Sequence, residues 1–139
     1  MLKELGYGST LSSGRWHTKG ALQIVYSASS RALCQLEKRV HANGYALKNQ
    51  ALVQLELPPG AHLLTAVDLG LPTNWRNDMG ATQKMGDDWL ASRDSLGLWV
   101  PSFVEPGEFN LLINPQVAAF DKITLVVERE PFVFDPRMF

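Results

Sequence analysis

The sequence has very little cysteine, no excess of either charge and no long apolar run. Its 139 residues include one cysteine, which excludes an intrachain disulfide and favours a reducing compartment. Because 13 basic residues stand against 14 acidic ones, no strongly basic surface for nucleic acid is expected. No segment approaches a membrane span, and residues 1 to 14 lack the apolar core of a signal peptide. We therefore expect a soluble, cytoplasmic protein that contacts neither nucleic acid nor membrane directly.

Signatures of common nucleotide and metal sites are also missing. There is no Walker-type loop and no Gly-x-Gly-x-x-Gly after a strand. His17, His41 and His62 lack the spacing of metal ligands, so no metal is expected. Glu37 and His41 lie one helical turn apart, which is typical of an exposed pair. The sequence therefore offers no familiar catalytic motif.

What the sequence does contain is enough apolar material for one core. A 45% hydrophobic fraction and this length predict a single domain over residues 1 to 139. Residues 22 to 26 predict a strand, and Ser29 or Ser30 caps a following helix. The helix is expected to bury a stripe of apolar residues, Ala32, Leu33, Leu36 and Val40. It is expected to end at Asn43 and Gly44.

The remaining elements alternate without a regular strand-helix-strand repeat. Residues 51 to 57 predict a strand that pairs with residues 62 to 69, and residues 71 to 80 predict a loop. The later predictions are a helix within 82 to 94, a strand at 95 to 100, a loop at 102 to 115, and two short strands at 122 to 127 and 131 to 135. This order favours a mixed α+β fold over a doubly wound sheet.

Three residues near the amino terminus form a candidate site. Arg15 lies in a turn bracketed by glycines, where its planar fork can meet a phosphate or carboxylate, although the glycines can serve the turn alone. Tyr26 ends the next strand, and Glu37 lies at the edge of the helix stripe, where a carboxylate can be partly buried. Periodicity equally allows Glu37 to be a solvated helix residue, and Trp16 to be a packing residue.

Further candidates lie later in the chain. Ser102 opens a loop at a strand end, a position from which a hydroxyl can meet a ligand. Asn110 and Asn114 flank an apolar run, where Asn114 before proline fits turn chemistry as well as a binding role. Cys34 fits a small buried hydrophobe better than a nucleophile.

The ordered series of motifs resembles the RES-domain family, the toxin half of Xre-RES toxin-antitoxin pairs. The matching segments run to the carboxyl terminus: GRWHTKG at 14 to 20, IVYSASSRALCQLEKRVH at 24 to 41, WLASRDSLGLWVPS at 89 to 102, FNLLINP at 109 to 115 and FDPRMF at 134 to 139. The resemblance implies a fold like ADP-ribosyltransferase toxins and the destruction of NAD by hydrolysis or phosphorolysis of the nicotinamide-ribose bond. It places the family's Arg, Tyr, Glu and Ser on Arg15, Tyr26, Glu37 and Ser102.

The resemblance also implies roles and partners. Glu37 would hold the ribose hydroxyls, Arg15 the pyrophosphate, Tyr26 the nicotinamide or ribose, and Ser102 the ribose or a phosphate. We also include Asn114 among the NAD-binding residues. NAD is then a substrate and no cofactor is expected, while the partners are a small helical Xre-like antitoxin and a second copy in a homodimer.

Two departures and two alternatives remain. Only residues 1 to 13 precede Gly14, so an amino-terminal strand region of the family is expected to be short, and Gln116 stands where many members have His. The alternatives are transfer of ADP-ribose to a protein and an inactive module that binds the antitoxin.

Overall fold

The computed structural model describes residues 2 to 139 except Ala21, Asn43 and Ala46. The described residues form two α-helices, α1 (Arg31–His41) and α2 (Met79–Ser92). The strands are β1 (Val25–Ala28), β2 (Gln50–Glu56), β3 (Leu63–Thr65), β4 (Gly97–Pro101), β5 (Phe109–Ile113) and β6 (Thr124–Phe132). The mixed α+β class expected from the sequence is confirmed.

The main sheet carries the central core. Its strand order is β1, β5, β4, β3, with β3 parallel to β4 and the other pairs antiparallel. Leu98, Val100 and Leu112 from its two middle strands are fully buried. They pack with Trp89 and Leu90 of α2 in one apolar cluster, so α2 covers this sheet.

A separate two-stranded sheet pairs β2 with β6 in antiparallel register, for example Leu55 with Leu125. Leu52, Phe132 and Phe134 form a small cluster there, against which Cys34 of α1 packs. The Cys34 side chain is partly buried, and this desolvation raises the pKa of its thiol, consistent with its expected apolar role.

Both helices begin at a side-chain cap. The Ser30 hydroxyl accepts a hydrogen bond from the Leu33 amide at 3.1 Å, which confirms the start expected for α1. The Asp78 carboxylate caps α2 by accepting from the Ala81 amide at 3.0 Å. In the predicted Asn-Gly end of α1, Asn43 lies outside the described residues, whereas Gly44 has a φ of 85°, which suits glycine.

Several strand predictions were wrong because pairing partners lie far away in sequence. Residues 62 to 69 were expected to pair with residues 51 to 57, but β3 pairs with β4, and β2 pairs with β6. The loop expected at residues 102 to 115 contains β5, whose apolar run is buried between β1 and β4. In place of the two short strands expected at residues 122 to 127 and 131 to 135, a single strand, β6, begins within the first range and ends within the second.

The boundaries of two other elements also moved. The first strand is displaced from residues 22 to 26 to Val25–Ala28, where it pairs with β5. Helix α2 begins inside the expected loop of residues 71 to 80, because Asp78 caps it there. None of the described helices is long and apolar enough to cross a membrane.

The buried stripe expected on α1 is narrower than the sequence indicated. Of its four expected residues, Leu33 is buried, Leu36 is partly buried, and Ala32 and Val40 are exposed. Val40 is exposed because it lies on the wall of a cavity. The apolar spacing of α1 therefore serves both the core and this cavity.

Candidate active site

A cavity of about 620 Å³ lies among the turn of residues 14 to 17, β1, α1 and the loop after β4. Its volume is typical of small-molecule sites, which range from about 300 to 1,000 Å³. Arg15, Tyr26 and Glu37 all line this cavity. The structure therefore brings together three of the four residues to which the family resemblance assigns the Arg, Tyr, Glu and Ser positions.

Glu37 is held in place across the cavity wall by Ser102. The Ser102 hydroxyl donates a hydrogen bond of 2.9 Å to Glu37 Oε1 and accepts one of 3.0 Å from the Glu105 amide. Glu37 itself is partly buried on α1. Because the Glu105 amide donates to the serine oxygen, the hydroxyl proton of Ser102 points to the Glu37 carboxylate.

Ser102 lies behind Glu37 and not on the cavity wall. Its side chain is fully buried, and it is absent from the residues that line the cavity. The expected direct contact of Ser102 with ribose or phosphate therefore does not fit this structure. The geometry gives Ser102 a positioning role, in which it orients the carboxylate of Glu37.

Tyr26 is anchored by its hydroxyl to a buried histidine. His17 Nε2 lies 2.9 Å and 3.0 Å from the carbonyl oxygens of Ser9 and Ser12, so this nitrogen carries a proton. In the neutral ring Nδ1 then accepts the Tyr26 hydroxyl at 2.6 Å, and the same hydroxyl accepts the Trp16 amide at 3.3 Å. Desolvation raises the pKa of Tyr26 above its usual value of 10.0.

These hydrogen bonds occupy the hydroxyl of Tyr26, and the aromatic ring stays accessible to a ligand in the cavity. The residue remains 43% exposed although its hydroxyl is engaged inside the protein. An aromatic face on a cavity wall can stack on a planar heterocycle or pack on a sugar. The geometry therefore favours a role for the ring, not for the hydroxyl.

Helix α2 fixes the turn that carries Arg15. Thr82 Oγ1 donates to the Arg15 carbonyl at 2.6 Å, and Gln83 donates to the Gly14 carbonyl at 2.9 Å. A Cβ on Gly86 would lie 1.6 Å from the Trp16 carbonyl oxygen, and one on Gly14 would lie 2.7 Å from the Tyr26 hydroxyl. Glycine is thus required at both contacts by close approach.

The guanidinium of Arg15 is partly enclosed and forms no ion pair with a carboxylate of the described residues. Its Nη1 is buried with no hydrogen-bond partner, alone among the buried side-chain polar atoms of the described residues. Desolvation, and next the charge of Arg76, lower the pKa of Arg15. An unsatisfied buried donor on a cation is costly, and an anionic ligand would satisfy it.

Asn114 is a structural residue in this fold, contrary to its proposed place among the binding residues. It is fully buried, and its amide donates to the Leu90 carbonyl at 3.0 Å. Its Oδ1 accepts from the backbone and side-chain amides of Gln116 at 3.0 Å and 2.6 Å. Gln116 also reaches the Gln23 carbonyl at 2.9 Å, so this departure from the family pattern has a structural role.

The sequence did not reveal three residues that shape the site: His17, Arg76 and Phe103. His17 was considered only as a metal ligand, and the described residues contain no group of three His, Cys, Asp or Glu side chains that could hold a metal ion. Arg76 lay in a predicted loop, and its contacts arise from tertiary structure. For Phe103, the only indication in the sequence of a place in the site is that it directly follows Ser102.

A family model described as "RES domain" matches residues 3 to 135 of this chain. A protein of Yersinia enterocolitica named Toxin Res is 40% identical over 136 residues, which cover 96% of this chain and 88% of the relative. A protein of a Sphingobium species named Prs ADP-ribosylating toxin is 38% identical over 138 residues, covering 96% of this chain and 84% of the relative.

The fold also matches a solved structure. The crystal structure of the M. tuberculosis MbcT-MbcA toxin-antitoxin complex contains a chain with a TM-score of 0.62 and 19% identity to this one. The match covers 89% of this chain and 73% of that chain, and at this identity it bears on the fold alone. Together with the family match over nearly the whole length, these findings show that the chain belongs to the RES domain family.

Proposed function

We propose that this chain is the toxin of a type II toxin-antitoxin pair and that it cleaves NAD between nicotinamide and ribose. The observation that carries the proposal is the Glu37 carboxylate on the wall of a ligand-sized cavity, oriented by Ser102 and accompanied by Arg15 and Tyr26. The names of curated relatives, such as Toxin Res, support the biological role.

The chemistry requires few groups. The nicotinamide nitrogen bonded to ribose is already cationic, so it takes the electrons of the breaking bond and leaves as a neutral molecule without a general acid. The ribose carbon becomes cationic in the transition state, and a single carboxylate can offset that charge. In hydrolysis a water oxygen then bonds to this carbon and releases a proton, whereas in phosphorolysis a phosphate oxygen forms the bond.

Each of the four residues has a distinct proposed role. Glu37 holds the ribose hydroxyls and offsets the developing charge, and Arg15 binds the pyrophosphate. The ring of Tyr26 packs against nicotinamide or ribose. Ser102 positions Glu37. NAD is a substrate in this scheme, and no separate cofactor takes part.

The central test replaces Glu37→Gln. We expect the purified variant to lose nicotinamide release from NAD by at least about 100-fold, because the neutral amide cannot offset the cationic transition state. The measurement is chromatography of nicotinamide and ADP-ribose, with circular dichroism to compare folding. Glu56→Gln is the matched control, since Glu56 is an exposed residue of β2 outside the cavity wall. Full activity in Glu37→Gln would contradict the proposal.

A second candidate is transfer of ADP-ribose to a protein, which the name of the Sphingobium relative favours. Both reactions break the same bond and use the same Glu37, and they differ in the nucleophile. Incubation of NAD labelled in its adenylate part with cell extract distinguishes them: free labelled ADP-ribose supports cleavage, and labelled protein supports transfer. If the labelled NAD remains intact and no protein is labelled, the result would favour an inactive binding module.

The partners of the chain also belong to this proposal. The structurally similar chain was crystallised as part of a toxin-antitoxin complex, and we extend that arrangement to a small helical Xre-like antitoxin for this protein. We also propose that the toxin forms a homodimer. Measuring NAD in cells that express the chain with and without its antitoxin tests the first partner, and light scattering of the purified protein tests the second.

A further inference from the structure

Two arginines from distant parts of the chain stack on one aromatic ring beside the cavity. The guanidinium carbon of Arg15 lies 3.8 Å from the centroid of Phe103, and that of Arg76 lies 4.1 Å from the same centroid. Arg76 also donates from Nη2 to the Phe103 carbonyl at 3.1 Å. The ring therefore holds two cations as close neighbours, and the charge of Arg76 contributes to lowering the pKa of Arg15.

No carboxylate of the described residues neutralises this pair. The ion pairs found there involve other groups: Arg31 with Glu128, Lys84 with Asp88, and Arg137 with Asp135. Nη1 of Arg15 is buried without a hydrogen-bond partner. Like charges repel, and an unsatisfied buried donor costs free energy, so an arrangement of this kind is stabilised when an anion binds.

Arg15 and the Phe103 ring lie on the cavity wall with the proposed catalytic carboxylate, and Arg76 reaches this site through its contact with Phe103. Phe103 directly follows Ser102, which donates a hydrogen bond to Glu37. Phe103 and Arg15 line the same cavity as Glu37. An anion held by the two arginines would therefore belong to a ligand that also reaches Glu37.

We propose that Arg76 is a second anion-binding residue and that, with Arg15, it binds the diphosphate of a nucleotide. This inference rests on the proposed function, in which NAD supplies that diphosphate, and it adds a residue and a ligand preference to it. Two guanidinium groups offer separate planar forks for two linked phosphates, whereas a monophosphate needs only one of them. The site therefore selects nucleoside diphosphates over monophosphates.

The test measures binding of ADP and AMP, which contain no nicotinamide and are not cleaved. We expect titration calorimetry of the wild-type protein to show tighter binding of ADP than of AMP. Arg76→Gln should weaken ADP binding about 10- to 100-fold, the range for one charged hydrogen-bonding group, and bring the two ligands to similar affinity. Arg76→Lys keeps the charge without the planar fork, and we expect it to retain part of the preference for ADP.

A matched control separates this site from general surface charge. Arg129→Gln removes one positive charge from an exposed position on β6, outside the cavity, and should leave both affinities unchanged. The inference is overturned if wild-type protein does not prefer ADP, if Arg129→Gln weakens ADP as much as Arg76→Gln, or if Arg76→Gln keeps the preference. Equal weakening of ADP and AMP binding in Arg76→Gln is one way in which the preference would be kept, and that result would assign Arg76 to supporting Phe103 alone.

The two proposals fail in different measurements. Loss of the ADP preference in Arg76→Gln, together with no release of nicotinamide by the wild-type protein, would support the diphosphate site and contradict NAD cleavage. Cleavage of NAD by the wild type, together with unchanged ADP binding in Arg76→Gln, would support NAD cleavage and contradict the diphosphate site.

Discussion

The hydrogen bond between Ser102 and Glu37 connects two residues that are 65 positions apart. Ser102 is fully buried, whereas Glu37 lies on the cavity wall, so the proposed mechanism gives the serine an effect through the carboxylate. The Glu105 amide completes the arrangement by donating to the serine oxygen at 3.0 Å. At the scale of single residues, a buried hydroxyl outside the cavity wall therefore orients the carboxylate that lines it.

Replacing Ser102→Ala should separate positioning from binding. We expect kcat for NAD cleavage to fall about 10- to 100-fold with little change in KM, because the carboxylate loses its orientation while the cavity remains. The variant should also lose about 1 to 3 kcal/mol of stability, since the Glu105 amide loses its acceptor. Steady-state nicotinamide release and urea unfolding provide the two measurements. An altered KM with unchanged kcat would contradict the positioning role.

The burial of the Tyr26 hydroxyl is expected to make the free energy of unfolding fall at alkaline pH. Because desolvation raises its folded pKa above the ordinary value of 10.0, the folded state disfavours the phenolate. The resulting stability is fully present below pH 10 and is lost as pH rises through the folded value. We expect absorbance titration near 295 nm to show a late tyrosine step that Tyr26→Phe removes. If the variant retains that step, the step belongs to another tyrosine.

Helix α2 is the element that holds the cavity together. Its Thr82 and Gln83 side chains bind the carbonyls of Arg15 and Gly14, and Asp87 accepts from the Thr18 amide and hydroxyl at 3.0 Å and 2.6 Å. These contacts run along one face of α2. The turn that carries Arg15 is therefore positioned by a helix more than 60 residues later in the chain, as the 67-residue separation of Arg15 and Thr82 shows.

Replacing Gly86→Ala should push this turn away from the helix. The added Cβ would lie 1.6 Å from the Trp16 carbonyl oxygen, a backbone atom that cannot move without the whole turn. We expect a loss of about 1 to 3 kcal/mol or more and a large loss of NAD cleavage. Thermal unfolding and nicotinamide release measure the two effects.

Gly80→Ala provides the matched control in the same helix. A Cβ there meets only Asp78 Oδ1 at 3.6 Å, and alanine is the better helix former. This variant should keep its activity and gain up to about 1 kcal/mol. Equal behaviour of the two variants would contradict the docking role of Gly86.

At the scale of the whole molecule, α1 lies between the two sheets and contacts both of them. Its Cys34 packs with the β2 and β6 cluster, its Arg31 pairs with Glu128 of β6 at 2.7 Å, and its Glu37 lines the cavity. The main sheet supplies β1 and the end of β4, which contribute Tyr26 and the loop that begins at Ser102. The cavity therefore lies between α1 and the main sheet, while the opposite contacts of α1 reach the two-stranded sheet.

Local sequence patterns predicted the elements that depend on neighbouring residues. The Ser30 cap and helical spacing located α1, and an apolar segment ending at Pro101 located β4. Arg15, Tyr26 and Glu37 were found from their turn, strand end and helix edge together with the family resemblance, and the structure places them on one cavity. These predictions succeeded because caps, turns and periodicity act over a few residues.

Contacts between distant segments could not be predicted in the same way. The pairing of β2 with β6, the insertion of β5 between β1 and β4, and the burial of Asn114 all depend on partners remote in sequence. The same applies to Ser102 behind Glu37 and to Arg76 beside Arg15. An apolar or charged segment has the same local pattern whichever partner it meets.

The sequence by itself determined the α+β class, the family resemblance and three residues of the cavity wall. Only the tertiary structure decided how those residues are supported: which serine hydroxyl meets the carboxylate, which histidine holds the tyrosine, and which second cation joins Arg15. The physical reason is that capping and periodicity act within one element, whereas hydrogen bonds and stacking in this site join elements separated by tens of residues.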